Sequence, residues 1–138
     1  LLPPAVGLAC WCNNAKVPLE RMVQESFRAS SAVFLGEVIE SKFWTDVDKQ
    51  GVRLELRVRR VFKGDLIVGV LVPADTAPSE AECGKPFKVG ELVLIYARSV
   101  APVDLHLCDS SSELIESLEQ IPELLRLQES YKSHDTGV

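Results

Sequence analysis

The stretch Val52-Arg53-Leu54-Glu55-Leu56-Arg57-Val58-Arg59-Arg60-Val61-Phe62-Lys63-Gly64 decides the fold class. Val52, Leu54, Leu56 and Val58 alternate with Arg53, Glu55, Arg57 and Arg59, so one face of a strand meets a core and the other meets water. The phase slips by one residue at Arg60-Val61, which predicts a β-bulge near Arg59-Arg60. Lys63-Gly64-Asp65 follows as a tight turn. The clustering of Arg57, Arg59, Arg60 and Lys63 reads first as the wet face of this strand.

Outward from there, Ser31 to Phe43 forms a long strand around Ala32-Val33-Phe34-Leu35-Gly36-Glu37-Val38-Ile39, and its glycine predicts a bulge or sharp bend. Asp46 to Gly51 is the connecting turn. Leu66 to Val72 is a nearly continuous apolar run, which predicts a buried strand. Pro73 to Pro86 reads as a loop carrying Cys83. Val89-Gly90-Glu91 turns the chain into a buried strand over Leu92 to Ala97, and Val103 to Leu107 is a short last strand before Cys108. Ahead of the sheet, Pro18 opens a helix whose apolar stripe is Leu19, Met22, Val23 and Phe27. Behind it, Ser110-Ser111-Ser112-Glu113 offers a capping box to a helix bearing Leu114, Ile115, Leu118 and Ile121, which Pro122 kinks or restarts. The expected fold is mainly β: a five-stranded barrel between a short N-terminal helix and a C-terminal helix, with the OB-fold as the candidate.

The 138 residues fit one domain, expected over 10–130, with a flexible polar tail over 131–138. A net charge of −5 argues against nucleic acid as a partner, because phosphate binding needs a basic stripe. No apolar run approaches the ~20 residues that span a bilayer, so no transmembrane segment is expected. Leu1 to Ala9 carry no charge and read as the remnant of a secretory signal peptide. The small residues Gly7 and Ala9 place cleavage just before Cys10. A lipid anchor at Cys10, of the bacterial lipobox kind, is the lesser alternative to a freely secreted chain.

Secretion makes the four cysteines the informative residues, because in a short extracellular domain they imply two disulfides, with three possible pairings. Cys10-Trp11-Cys12 lacks the C-x-x-C spacing of redox pairs, and Cys83 and Cys108 stand too far apart for a zinc knuckle. Closing loops this long stabilises a fold by roughly 4 kcal/mol each in the chain-entropy model. Neither His106 nor His134 sits in a nucleophile motif, and no phosphate-cradling glycine loop is present. An enzyme is therefore not expected, nor a cofactor, nor a metal of the protein's own.

In order along the chain, Cys10-Trp11-Cys12, the strand Ala32 to Val38, Leu54 to Val58 leading into Val61-Phe62-Lys63-Gly64, Cys83-Gly84, Leu92 to Ala97 and Cys108 resemble the N-terminal domain of tissue inhibitors of metalloproteinases, within the netrin-like group. The resemblance covers about residues 10 to 108. It implies an OB-fold with the pairings Cys10–Cys83 and Cys12–Cys108. It also implies a mechanism, in which the free α-amine and carbonyl oxygen of mature Cys10 chelate the catalytic zinc of a metalloproteinase and displace its water. Trp11, Cys12 and Asn13 would continue along the protease cleft, and Ala81 and Glu82 would form the second part of the wedge. Trp11 is bulkier than the small residue usual in the family, so deep pockets are the expected targets. The alternative is a netrin-like module that meets an extracellular protein or matrix partner without touching zinc, through a surface such as the Arg57, Arg59, Arg60 and Lys63 cluster.

Overall fold

The computed structural model describes residues 12 and 17–136, with the backbone only over 133–136. It is mainly β, a curled six-stranded sheet flanked by helices. Helix α1 spans Leu19–Ala29, followed by β1 (Ala32–Thr45), β2 (Gln50–Lys63) and β3 (Leu71–Thr76). A 3-10 turn at Glu80–Glu82 leads through β4 (Leu92–Ala97), β5 (Val103–Leu105) and the two-residue β6 (Ser112–Glu113). Helix α2 (Leu114–Ser117), a 3-10 turn at Leu118–Gln120 and helix α3 (Ile121–Thr136) complete the chain. Pro122 stands near the start of α3, where its missing N–H costs nothing, so it restarts the helix. Helix α3 carries on through the polar stretch expected to be a tail, as far as Thr136.

The strands lie in the order β5-β3-β2-β1-β4-β6. All neighbours are antiparallel except β3 and β5, which run parallel. Val103 and Leu105 of β5 nevertheless share one core cluster with Val93, Ile95 and Ala97 of β4, with three strands between them in that order. A flat sheet could not bring them together, so the sheet curls into a half-barrel around this core.

A second cluster lies on the other face, where Val23 and Phe27 of α1 and Leu124 of α3 pack on Val33, Phe62, Leu94 and Tyr96. Alternation along β4 explains the division, with Val93, Ile95 and Ala97 facing inward and Leu94 and Tyr96 facing the helices.

The predicted bulge is present. Arg60 pairs with Leu35 and Val58 with Gly36, so Arg59 is the extra residue, and both Gly36 and the Arg59 region sit at the irregularity. Its effect is visible in burial: Leu56 and Val58 face the inner core, whereas Phe62 has moved to the helix face.

Three expectations need correction. The run Leu66 to Val72 is not a buried strand. Ile67, Val68, Val70 and Leu71 are exposed, and Gly69, at φ 98°, makes a turn that ends the extended run. The strand is displaced into the stretch read as loop, where Val72, Ala74 and Thr76 are buried alternately and Pro73 lies between them opposite Glu55. The capping box does not form either. Ser110 Oγ shares a 2.7 Å hydrogen bond with Ser26 Oγ of α1, while fully buried Ser111 accepts the Tyr96 amide at 2.9 Å. Those serines satisfy distant polar groups in preference to their own helix. Their neighbours Ser112 and Glu113 make the sixth strand, where five were expected.

Hydrogen bonds pin the helices to the sheet. Tyr96 Oη donates to Gln120 Oε1 at 2.7 Å, and burial holds this phenol above its usual pKa, so it stays a neutral donor. Lys63 Nζ donates to the Phe27 carbonyl at 2.8 Å and lies over the rings of Phe27 and Tyr131. No described helix is long and apolar enough to cross a membrane.

Candidate functional site

Among the described residues, Cys12, Ala81, Glu82, Cys83 and Cys108 of those singled out in the sequence lie at the junction between the Cys83 turn and the Cys108 loop. Cys83 closes the 3-10 turn in a left-handed conformation, at φ 72°, with its amide donated to Glu80 O and the Gly84 amide to Ser79 O. Gly84 is required here, because a Cβ would lie 2.1 Å from the Ala77 carbonyl oxygen. The Cys83 carbonyl then accepts the Leu107 amide at 2.9 Å, which lays the two cysteine loops side by side.

Asp109 organises the second loop. Its carboxylate accepts the amides of His106 at 2.9 Å and Ser111 at 2.7 Å, and His106 Nδ1 accepts the Cys108 amide at 3.1 Å. Lys85 locks the loops together. Its side chain is only 15% exposed, and Nζ donates to the Asp109 carbonyl at 2.7 Å, to Asp109 Oδ1 at 3.2 Å and to the Ser111 carbonyl. A cation so enclosed is satisfied by one charge and two backbone oxygens.

Cys12 is bridged to Cys108 across a Cα separation of 5.2 Å, the pairing that the resemblance implies. Among the described residues no cysteine is a free thiol. Cys10, Trp11 and Asn13 lie outside the described residues, as does the Cys10 half of the other expected bridge. Ala81 and Glu82 sit exposed on the 3-10 turn immediately before Cys83. The Glu82 carboxylate accepts Gln50 Nε2 at 2.9 Å and Ser79 Oγ at 3.1 Å, which ties the turn to the β1–β2 hairpin.

Sequence reasoning missed Gln50, Lys85 and Asp109. None of the three carries a periodic or motif signal, and the contacts of Gln50 with Glu82 and of Lys85 with Asp109 span 32 and 24 residues. The hairpin arm beside Glu82 is exposed from Ile39 to Thr45, and the Trp44 ring covers Gly51 on the facing strand.

Next to the junction, an open cleft of about 570 Å³ is lined by Glu25, Ser26, Tyr96, Asp104, His106 and Asp109, among others. Ser26 and Ser110 bond to each other there and His106 Nδ1 is held by backbone, so among the described residues no hydroxyl is hydrogen-bonded to a histidine ring. Among the described residues no group of three or more His, Cys, Asp or Glu side chains is placed to hold a metal ion.

The basic cluster is divided. Arg59 bonds Glu37 Oε1 through Nε at 2.9 Å, and Lys63 turns to α1. Arg57 donates to the Gly69 carbonyl at 2.9 Å and Arg60 stacks over Phe62.

No protein-family model matches this chain, and no curated protein matches it.

Proposed function

We propose that the chain is a secreted inhibitor of zinc metalloproteinases, built as an OB-fold of the tissue-inhibitor and netrin-like kind. Its inhibitory group is the free α-amine and carbonyl of mature Cys10. The observation that carries this reading is the junction itself. Cys12 is bridged to Cys108, and the neighbouring Leu107 amide is bonded to the Cys83 carbonyl. Two residues of chain can span up to about 7 Å, a length compatible with a bridge from Cys10 to Cys83. A Cys10–Cys83 bridge would hold the N-terminal residue against Ala81 and Glu82, giving a two-part wedge with its sulfurs already used.

The chemistry follows from the amine. To donate a lone pair to zinc it must be neutral, and an ordinary α-amine pKa of about 7.7–8.0 leaves a useful neutral fraction near pH 7. Amine and carbonyl oxygen together close a chelate that displaces the metal-bound water a protease activates. Trp11 would enter the adjacent pocket, and Cys12 and Asn13 would run on along the cleft.

The test is a pair of oxidised chains, one beginning at Cys10 and one carrying a single extra alanine before it. Both are assayed against a panel of zinc metalloproteinases with deep primed-side pockets. Inhibition by the first and none by the second is expected, because the added residue turns the amine into an amide. Equal activity of the two chains, or of neither, would overturn the chelation mechanism. N-terminal sequencing of the secreted protein, expected to begin at Cys10, establishes which form exists.

A further inference from the structure

The loop between β2 and β3 has no place in the wedge and carries a surface of its own. Ile67, Val68, Val70 and Leu71 follow one another around the Gly69 turn and are 70%, 60%, 39% and 49% exposed. Side chains of this kind are usually buried, and four together on one protruding turn mark an interaction site.

We propose that this loop inserts into the surface of an anionic lipid bilayer. Two observations favour lipid over a protein partner. The first is the state of the backbone. The Gly69 amide donates to Val58 O at 2.7 Å, Val70 N to Ile67 O at 3.2 Å, and Val58 N to Val70 O at 2.9 Å. The Gly69 carbonyl is capped by Arg57 Nη1 at 2.9 Å. These bonds satisfy the amides of Gly69 and Val70 and the carbonyls of Ile67, Gly69 and Val70, which lowers the desolvation cost of carrying the turn into the headgroup layer. The second is charge. Residues 57–72 carry four basic side chains and a single acid, Asp65, in a chain whose net charge is −5. Arg59 is paired with Glu37 and Lys63 is committed to α1. Arg57 lies against the aliphatic turn itself, bonded to the Gly69 carbonyl, and exposed Arg60 follows three residues on along β2, over the Phe62 ring. An apolar tip with a basic collar is the two-part signal that interfacial anchoring requires.

The loop also stands clear of the junction. Val58, which pairs with Gly69 and Val70, is eight residues along β2 from Gln50, which bonds Glu82, a path on the order of 25 Å along a strand. A membrane-docked molecule would keep its cysteine junction facing solvent.

The experiment is co-sedimentation of the full oxidised chain with phosphatidylcholine vesicles, with and without phosphatidylglycerol. The unaltered chain should bind the vesicles containing phosphatidylglycerol. Ile67→Ser combined with Val68→Ser should weaken binding by about tenfold or more, since both residues are exposed and their loss leaves the core intact. Arg60→Gln should lower affinity severalfold for the anionic vesicles only. Failure of the unaltered chain to sediment with either vesicle would overturn the proposal, as would undiminished binding by the double variant. So would a lipid-free dimer that the double variant abolishes, because the turn would then cover a second copy of the chain.

Discussion

Glycine at position 84 shows how one absent methyl group can decide a local structure. A Cβ there would lie 2.1 Å from the Ala77 oxygen and 2.6 Å from the Ala77 carbonyl carbon, both backbone atoms held within the Cys83 turn. At Gly51 the crowding is nominally similar, 2.6 Å, yet the obstructing group is the Trp44 ring, partly exposed and free to swing away. We therefore expect Gly84→Ala to cost about 3 kcal/mol in urea denaturation, and Gly51→Ala less than about 1 kcal/mol. Equal losses at the two sites would show that Trp44 is as fixed as the backbone. Cys83-Gly84 could be quoted from the sequence as a motif, but the need for glycine could not, because Ala77 is brought against it only by the folded turn.

Among the elements, α1 and α3 meet through a polar contact at the edge of their apolar seam. Gln24 Nε2 of α1 donates to Glu123 Oε2 at 2.8 Å, and Arg126 Nε donates to Glu123 Oε1 at 2.7 Å. The Arg126 hydrogen bond, followed by that of Gln24, pulls the Glu123 carboxyl down from its ordinary 4.5 to about 2. A pKa lower in the folded than in the unfolded chain means that the contribution is complete above about pH 4.5 and is lost as the pH falls toward 2. Arg126 is largely exposed, so water screens the pair and the effect on stability should be small. Urea midpoints measured from pH 5 down to pH 2 should fall for the natural chain and flatten in part for Glu123→Gln; parallel curves would sink the assignment. The helices themselves follow from apolar spacing, as Val23 and Phe27 show. Their partners across the seam do not, since Gln24 and Glu123 stand 99 residues apart.

For the whole molecule, the disulfide ties Cys12, ahead of α1, to the loop that follows β5, across 96 residues of sequence. Among the described residues both apolar clusters draw on the stretch from Met22 to Leu127, so the sheet is expected to form without it. Replacing Cys12 and Cys108 together by serine should lower unfolding free energy by about 2–4 kcal/mol, through the entropy returned to the unfolded chain. Far-ultraviolet circular dichroism should stay unchanged. Loss of the β signal in that variant would mean that the bridge is needed to close the sheet, contrary to the placement of the cores.

What the sequence determined by itself is the part of the fold governed by short repeats. Alternation every second residue placed β2 and the bulge at Arg59, continuous apolar character placed β4 over Leu92–Ala97, and spacing of three and four placed α1. Cys12 and Cys108 were paired only by resemblance, because cysteine spacing alone left three pairings open. Tertiary structure decided the rest. Leu66 to Val72 has the composition of a buried strand, but the turn at Gly69 moves pairing on to Val72, Ala74 and Thr76 and leaves Ile67 and Val68 in solvent. Ser110 and Ser111 have the pattern of a helix cap, but a buried amide on Tyr96 and a hydroxyl on Ser26 claim them first. Lys85 had no pattern at all, and it holds the cysteine junction shut. The physical reason is the same in each case. A local period reports which face of a segment is apolar, whereas the fate of a buried polar group depends on whichever partner the closed sheet brings within about 3 Å.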